Sequence, residues 1–181
     1  MDRFVNEILT QVPGCTKYAI KQAVLQTAIR FCEDSLIWQL AGEETVSAGS
    51  STMTLDTESD SQIAHCYIFL NKELYKAYSR SGEAVTLYEA VTVDTDYDTI
   101  SFLKPTEDAT ALPNILYHDW FDGISVGAKS RLQLQPGKKW TSLSLATINN
   151  ELYQRNLNRA RVLARETGVY TEFKTIRNVD F

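Results

Sequence analysis

The sequence predicts an α+β protein: a four-helix bundle interrupted by a small antiparallel β insertion between helices 2 and 3, ending in an extended C-terminal tail. Two observations carry this prediction. Apolar residues recur every three or four positions near both ends of the chain, as on the buried face of a helix. Between them, residues 63–103 are dense in β-branched and aromatic side chains with stretches of period two, as in half-buried strands. The expected divisions are 1–41, the first half of the bundle; 42–112, the β-rich insertion, a sheet or a sandwich; 113–168, the second half; and 169–181, the tail.

In chain order, Phe4, Val5, Ile8, Leu9 and Val12 form the stripe of a short amphipathic helix, which Pro13-Gly14 ends. Thr16 is placed to cap a second helix running to about Gln39, with Ile20, Val24, Ala28, Phe31 and Leu36 in register. From Gly42 the run SAGSSTMTLDTESDSQ favours turns and exposed edges. Segments 63–70, 74–79, 84–93 and 99–103 read as strands, with turns at Asn71-Lys72 and Ser81-Gly82. Pro113 opens a third helix, in which Leu116, Trp120, Ile124, Ala128 and Leu132 keep a strict spacing of four. Gly123 and Gly127 sit in the neighbouring row, at a cost of ~2 kcal/mol against alanine, and so predict a close approach of another backbone. Pro136-Gly137 ends this helix. Thr141 or Ser142 caps the last one, 142–167, whose expected apolar stripe is Leu145, Ile148, Leu152, Ala160 and Leu163, with Gly168 closing it.

Composition narrows the functional classes. The 181 residues are 44% apolar, too many for a disordered chain, and no apolar run approaches the ~18 residues of a membrane span. The opening MDRFVNEILTQVPG has neither the basic nor the apolar region of a signal peptide, so an intracellular chain is expected. Three widely spaced cysteines, Cys15, Cys32 and Cys66, form no CxxC and predict neither a disulfide framework nor a zinc site. Charge is polarised. Residues 1–128 carry 8 basic and 19 acidic side chains, whereas residues 129–181 carry 10 basic and 4 acidic, within an overall net charge of −5. An acidic middle and a basic end suit head-to-tail self-association or two unlike partners, and equally a solvated acidic surface beside an Arg-rich helix.

No catalytic constellation emerges. His65 and His118 lie in no motif, and no G-x-S-x-G, HExxH or Gly-rich phosphate loop is present. The run DTDYD (94–98) lacks the glycine and distal glutamate of a calcium loop and reads as a hairpin turn. No enzymatic role, cofactor or metal is therefore expected. Arginines concentrate on the last helix. Arg161 and Arg165 fall opposite the expected apolar stripe, Arg155 at its edge and Arg159 inside it, where a guanidinium needs a carboxylate or carbonyl partner. They are spread around the helix rather than gathered on one face with aromatic platforms, which favours protein contact over nucleic acid. Trp120 is expected in the core; Trp38 and Trp140 suit either core or interface.

Three stretches then gain meaning from their order. PGCTKYAI (13–20) followed by QTAIRFCEDSLIW (26–38) is a helical run of small residues leading to Phe-Cys-Glu and a Trp. GAKSRLQLQPGKKW (127–140) is a helix with Gly-Ala and Leu, a Pro-Gly corner and Lys-Trp. LSLATINNELYQRNLNRARVLA (143–164) is a last helix ending in Ala-Arg. Together, flanking a β region that matches none of the motifs, they resemble the head–tail adaptor (connector or neck) proteins of tailed bacteriophages over about half of the chain.

The resemblance implies a structural virion component without enzymatic activity or cofactor. Such a chain forms a homo-oligomeric ring, usually dodecameric, between portal and tail. It extends the DNA channel and offers a platform to the tail tube or nozzle protein. Genomic DNA passes through without sequence-specific binding, acidic channel surfaces letting it slide. The expected location is the virion neck, after assembly in the host cytoplasm, with no membrane partner. Arg155, Arg159, Arg161 and Arg165 are the expected partner-interface residues on the last helix. Tyr170, Phe173, Ile176 and Phe181 are those of the tail, which would dock on the portal as an added strand or in a groove. The alternative reading is a nucleic-acid-binding accessory protein using the basic C-terminal third, with affinity falling steeply with salt.

Overall fold

Phe4, Val5 and Ile8 are buried along α1 (Asp2–Leu9), a helix of only two turns. In this computed structural model, which describes residues 1–167, Gly168 and the predicted tail 169–181 lie outside the described residues. The chain turns at Gly14, whose φ of +86° favours glycine, and enters α2 (Lys17–Ser35). Thr16 caps α2 as expected, its hydroxyl accepting the Ala19 N–H at 3.2 Å. The helix stops before the predicted Gln39. Leu36 takes a left-handed conformation and donates its N–H to the Cys32 carbonyl. Trp38 then turns into the core and donates its indole N–H to Glu58 at 3.3 Å.

Among the described residues seven strands follow: β1 (Gln39–Val46), β2 (Thr52–Thr54), β3 (Ser61–Leu70), β4 (Glu73–Tyr75), β5 (Tyr78–Ser81), β6 (Ala84–Leu87) and β7 (Thr95–Pro105). They form two antiparallel sheets, one in the order β1-β7-β3-β4 and one in the order β2-β6-β5. The turns fall where the sequence places them. Asn71 and Lys72, both at positive φ, join β3 to β4, and Gly82, at φ +63°, joins β5 to β6. The predicted 74–79 strand is divided between the two sheets, and the predicted 84–93 strand stops at Leu87. β1 was hidden by its Gly and Glu residues. As an edge strand it is held by its backbone ladder to β7, from Gln39 opposite Phe102 to Val46 opposite Thr95. DTDYD is not a hairpin turn: Thr95 to Asp98 already belong to β7.

The sheets are tied together through Tyr78, whose hydroxyl donates to the Cys66 carbonyl at 3.1 Å, and Arg80. The Arg80 guanidinium donates to the carbonyls of Ile63 and Ala64 where β3 slips register against β7, and to that of Gly82. A donor group thus occupies the place where the ladder is broken.

Past the sheets, Ile115–Asp119 forms a single π-helical turn, Trp120 leaves helical geometry at φ −115°, and α3 (Phe121–Gln133) begins. The predicted spacing of four is fully buried: Leu116, Trp120, Ile124, Ala128 and Leu132. That spacing walks about 40° around an α-helix at each step. The wide turn and the break at Trp120 take up part of the drift and let the Trp120 ring pack on Phe31, centroids 5.4 Å apart. After the Pro136-Gly137 corner comes α4 (Leu143–Thr167), its first turn closed by the Ser142 carbonyl accepting the Ala146 N–H.

The predicted four-helix bundle does not form; the fold is mixed α and β, with two antiparallel sheets of four and three strands. The physical reason lies at α2. It packs on α3 with one side and on β7 and β3 with another, so the sheet covers what a full bundle would give to a helix. Lys104 of β7 pairs with Glu33 of α2, and Leu36 packs on Phe69, Ile100 and Phe102. One buried cluster runs from α1 through the helices into both sheets. All three cysteines are free and buried, and no described helix is long and apolar enough to cross a membrane.

Candidate assembly surface

The contact between α3 and α4 decides which side of α4 faces outward. It is built from small and polar residues. A Cβ added at Gly123 would lie 2.9 Å from the Asn156 Cβ, and one at Gly127 would lie 2.6 Å from both Thr27 Cγ2 and Tyr153 Cδ2. The predicted close approach is therefore present, made by side chains of α2 and α4 rather than by a bare backbone. Farther along, Ser130 donates its hydroxyl to the Ala146 carbonyl at 2.9 Å, and Asn149 donates its amide to Gln133 Oε1 at 2.8 Å. The buried face of α4 is accordingly Ala146, Asn149, Tyr153, Leu157, Ala160 and Ala164.

That face is not the predicted one. Of the expected stripe, only Ala160 is buried. Leu145, Ile148 and Leu152 are 44%, 54% and 38% exposed, Leu163 is exposed as well, and Val162 joins them at 53%. Where α4 meets Gly127 and Ser130 of α3 the space is taken by Ala146, Asn149 and Tyr153, so Leu145, Ile148 and Leu152 are turned outward, whereas Leu157 is buried farther along. Residues 145, 148, 152, 155, 159 and 162 alternate spacings of three and four, the seam pattern by which a helix meets another surface. Leu, Ile and Leu occupy its first half; Arg155, Arg159 and Val162 continue it.

The four arginines divide. Arg155 and Arg159 are exposed and have no ion pair among the described residues. Arg159 is thus not a buried guanidinium, because the stripe that contains it faces out. Arg161 instead turns back on its own chain, donating Nε–H to the Asp34 carbonyl at 2.8 Å near the C-terminal end of α2. Arg165 lines a cleft with Leu36, Tyr67 and Phe102. Tyr170, Phe173, Ile176 and Phe181 lie outside the described residues.

The chain matches no family model and no curated protein by sequence. The chemistry must therefore be read from its own surface. His65 and His118 are exposed and lie apart from any cluster, and no group of three or more potential metal ligands occurs among the described residues. Trp38 and Trp120 line an open groove of about 770 Å³ with Glu58, Asp60 and Asp119, which carries carboxylates but neither histidine nor cysteine. Trp120 and Trp38 are core residues, and Trp140 is half-buried.

Sequence reasoning also missed buried polar groups among the helices, two of them Lys129 and Tyr153. Lys129, 4% exposed, places Nζ 2.7 Å from Glu7 of α1. Tyr153 is buried with its hydroxyl lacking a hydrogen-bond partner among the described residues, and burial, followed by the nearby Asp34 charge, pushes its pKa up to about 12. For the buried face of α4 the available signal was its small residues, Ala146, Ala160 and Ala164, which mark a tightly packed face.

Proposed function

We propose that the chain is a structural ring subunit of the head–tail adaptor kind, assembling between portal and tail around the DNA channel. The observation that carries this reading is the outward stripe of α4, a row of exposed Leu145, Ile148, Leu152 and Val162 continuous with exposed Arg155 and Arg159. Apolar side chains aligned in this way on a rigid helix are the mark of a protein contact, and water is a poor partner for them. Polarised charge adds to it: a basic C-terminal third and an acidic β region suit unlike faces meeting around a closed ring. The resemblance of both helical flanks to adaptor sequences supplies the partners. These are other copies of the chain, the portal, the tail tube or nozzle protein, and DNA in transit. In this reading Tyr170, Phe173, Ile176 and Phe181 supply apolar anchors for the portal.

The test is to mix the full chain with the portal encoded in the same genome and measure mass and stoichiometry by light scattering. Stoichiometric joining to the portal, or a large homo-ring, supports the reading. A chain that ignores the portal and instead binds duplex DNA with steep salt dependence overturns it in favour of a nucleic-acid-binding role for the C-terminal third.

A further inference from the structure

The α4 stripe has a complementary surface elsewhere on the same chain. Residues 88–94, between β6 and β7, expose two large apolar side chains, Tyr88 at 70% and Val93 at 66%. Glu89, Asp94 and Asp96 are exposed beside them, and residues 88–98 contain no lysine or arginine. The loop is held in shape. Tyr88 donates its N–H to the Ala77 carbonyl, and Val91 exchanges backbone bonds with Ser50 and Gly49. The Asp94 carboxylate accepts the Ala48 N–H at 2.8 Å, and Asp96 accepts the Thr45 hydroxyl at 2.7 Å. A loop already fixed by its own hydrogen bonds loses little freedom on docking.

We infer that Tyr88 and Val93 of one copy seat on the Leu145, Ile148 and Leu152 face of α4 in the next copy, with Glu89 set against Arg155 and Arg159. This rests on the ring reading and names its subunit contact. Both patches are exposed within one chain, so neither covers the other there; the pairing is between copies and uses two different surfaces. Such a heterologous contact propagates around a ring, whereas a two-fold contact would stop at a dimer. Charge favours this occupant over nucleic acid, because the loop's carboxylates repel phosphate and attract the two guanidiniums. A phosphate backbone would also leave Leu145, Ile148 and Leu152 uncovered.

The experiment uses two full-length variants, Ile148→Glu on α4 and Val93→Lys on the loop, under conditions where the wild-type chain assembles, alone or on the portal. Both positions are exposed, so an unchanged far-ultraviolet spectrum and melting curve is expected. Each variant alone should fall from ring mass to single-chain mass. Mixed, they should form a one-to-one pair and nothing larger, because each supplies one intact half of the contact. A second pair, Arg159→Glu and Glu89→Arg, should weaken assembly singly and recover it when combined in one chain. Variants that still form wild-type rings overturn the inference and leave the ring reading standing. Single-chain variants that fail to pair when mixed also overturn it. A wild-type chain that assembles neither alone nor on the portal overturns both.

Discussion

Gly127 and Tyr153 are in contact through the missing side chain of the glycine: a Cβ on Gly127 would stand 2.6 Å from the tyrosine ring. The contact lets α3 and α4 pack closely, with Tyr153 and Leu157 of α4 buried and Leu145, Ile148, Leu152 and Leu163 facing outward.

Replacing Gly127 by alanine sets two effects against each other. Alanine favours the helix by about 1 kcal/mol. The new methyl must displace Thr27 and the buried Tyr153 ring, and overpacking of this sort costs about 1–3 kcal/mol. The clash wins, because both obstructing groups are short or rigid. Denaturant unfolding should show G127A less stable than the wild type; a gain in stability would contradict the packing described.

Tyr153 offers the opposite case. Its buried hydroxyl has no partner among the described residues, so Tyr153→Phe should be neutral or stabilising by up to about 1 kcal/mol. The folded chain holds the phenolic proton up to about 12, whereas an unfolded chain releases it near 10. Between those values the unfolded state binds fewer protons, so stability falls as pH rises. Burial pushes Tyr78 and Cys32 in the same direction. Unfolding curves at pH 8 and pH 11 should show the loss, with a smaller slope in Y153F.

The pair of Lys129 and Glu7 joins α1 to α3. Removing only the carboxylate leaves a buried ammonium without its partner, so Glu7→Ala should cost about 1–3 kcal/mol, the half-exposed glutamate moderating the loss. Lys129→Met removes the buried charge itself at similar volume and should cost less. A Glu7→Ala variant as stable as the wild type would show that the pair does not anchor α1.

At the slip of β3 against β7, Arg80 supplies donors to the carbonyls of Ile63 and Ala64. Arg80→Ala should cost about 1–2 kcal/mol and lower amide-exchange protection on both sides of the slip, since two part-buried carbonyls lose their partner. Unchanged protection there would mean that the sheets meet independently of the guanidinium.

Much of the fold was legible where one residue type answers one local demand. Thr16 caps α2, Asn71-Lys72 and Gly82 turn the hairpins, and the spacing of Leu116 to Leu132 marks a buried face. β1 was not, because an edge strand takes its order from a partner 49 to 63 residues away, Gln39 opposite Phe102 and Val46 opposite Thr95, and tolerates Gly and Glu. The bundle failed for a related reason: α2 has two packed sides, and periodicity does not say whether helix or sheet covers the second. On α4 the apolar stripe was real but its direction was wrong. Hydrophobicity finds leucines, whereas the buried face of α4 carries alanine, asparagine and tyrosine beside the single leucine Leu157.

The central claim, that the outward face of α4 is an assembly surface, is tested most directly by the solution mass of the full chain, wild type against Ile148→Glu. The account predicts a ring for the wild type, alone or on the portal, and a single folded chain for the variant in the same conditions. A variant that assembles like the wild type, or a wild type that stays a single chain throughout, would contradict it.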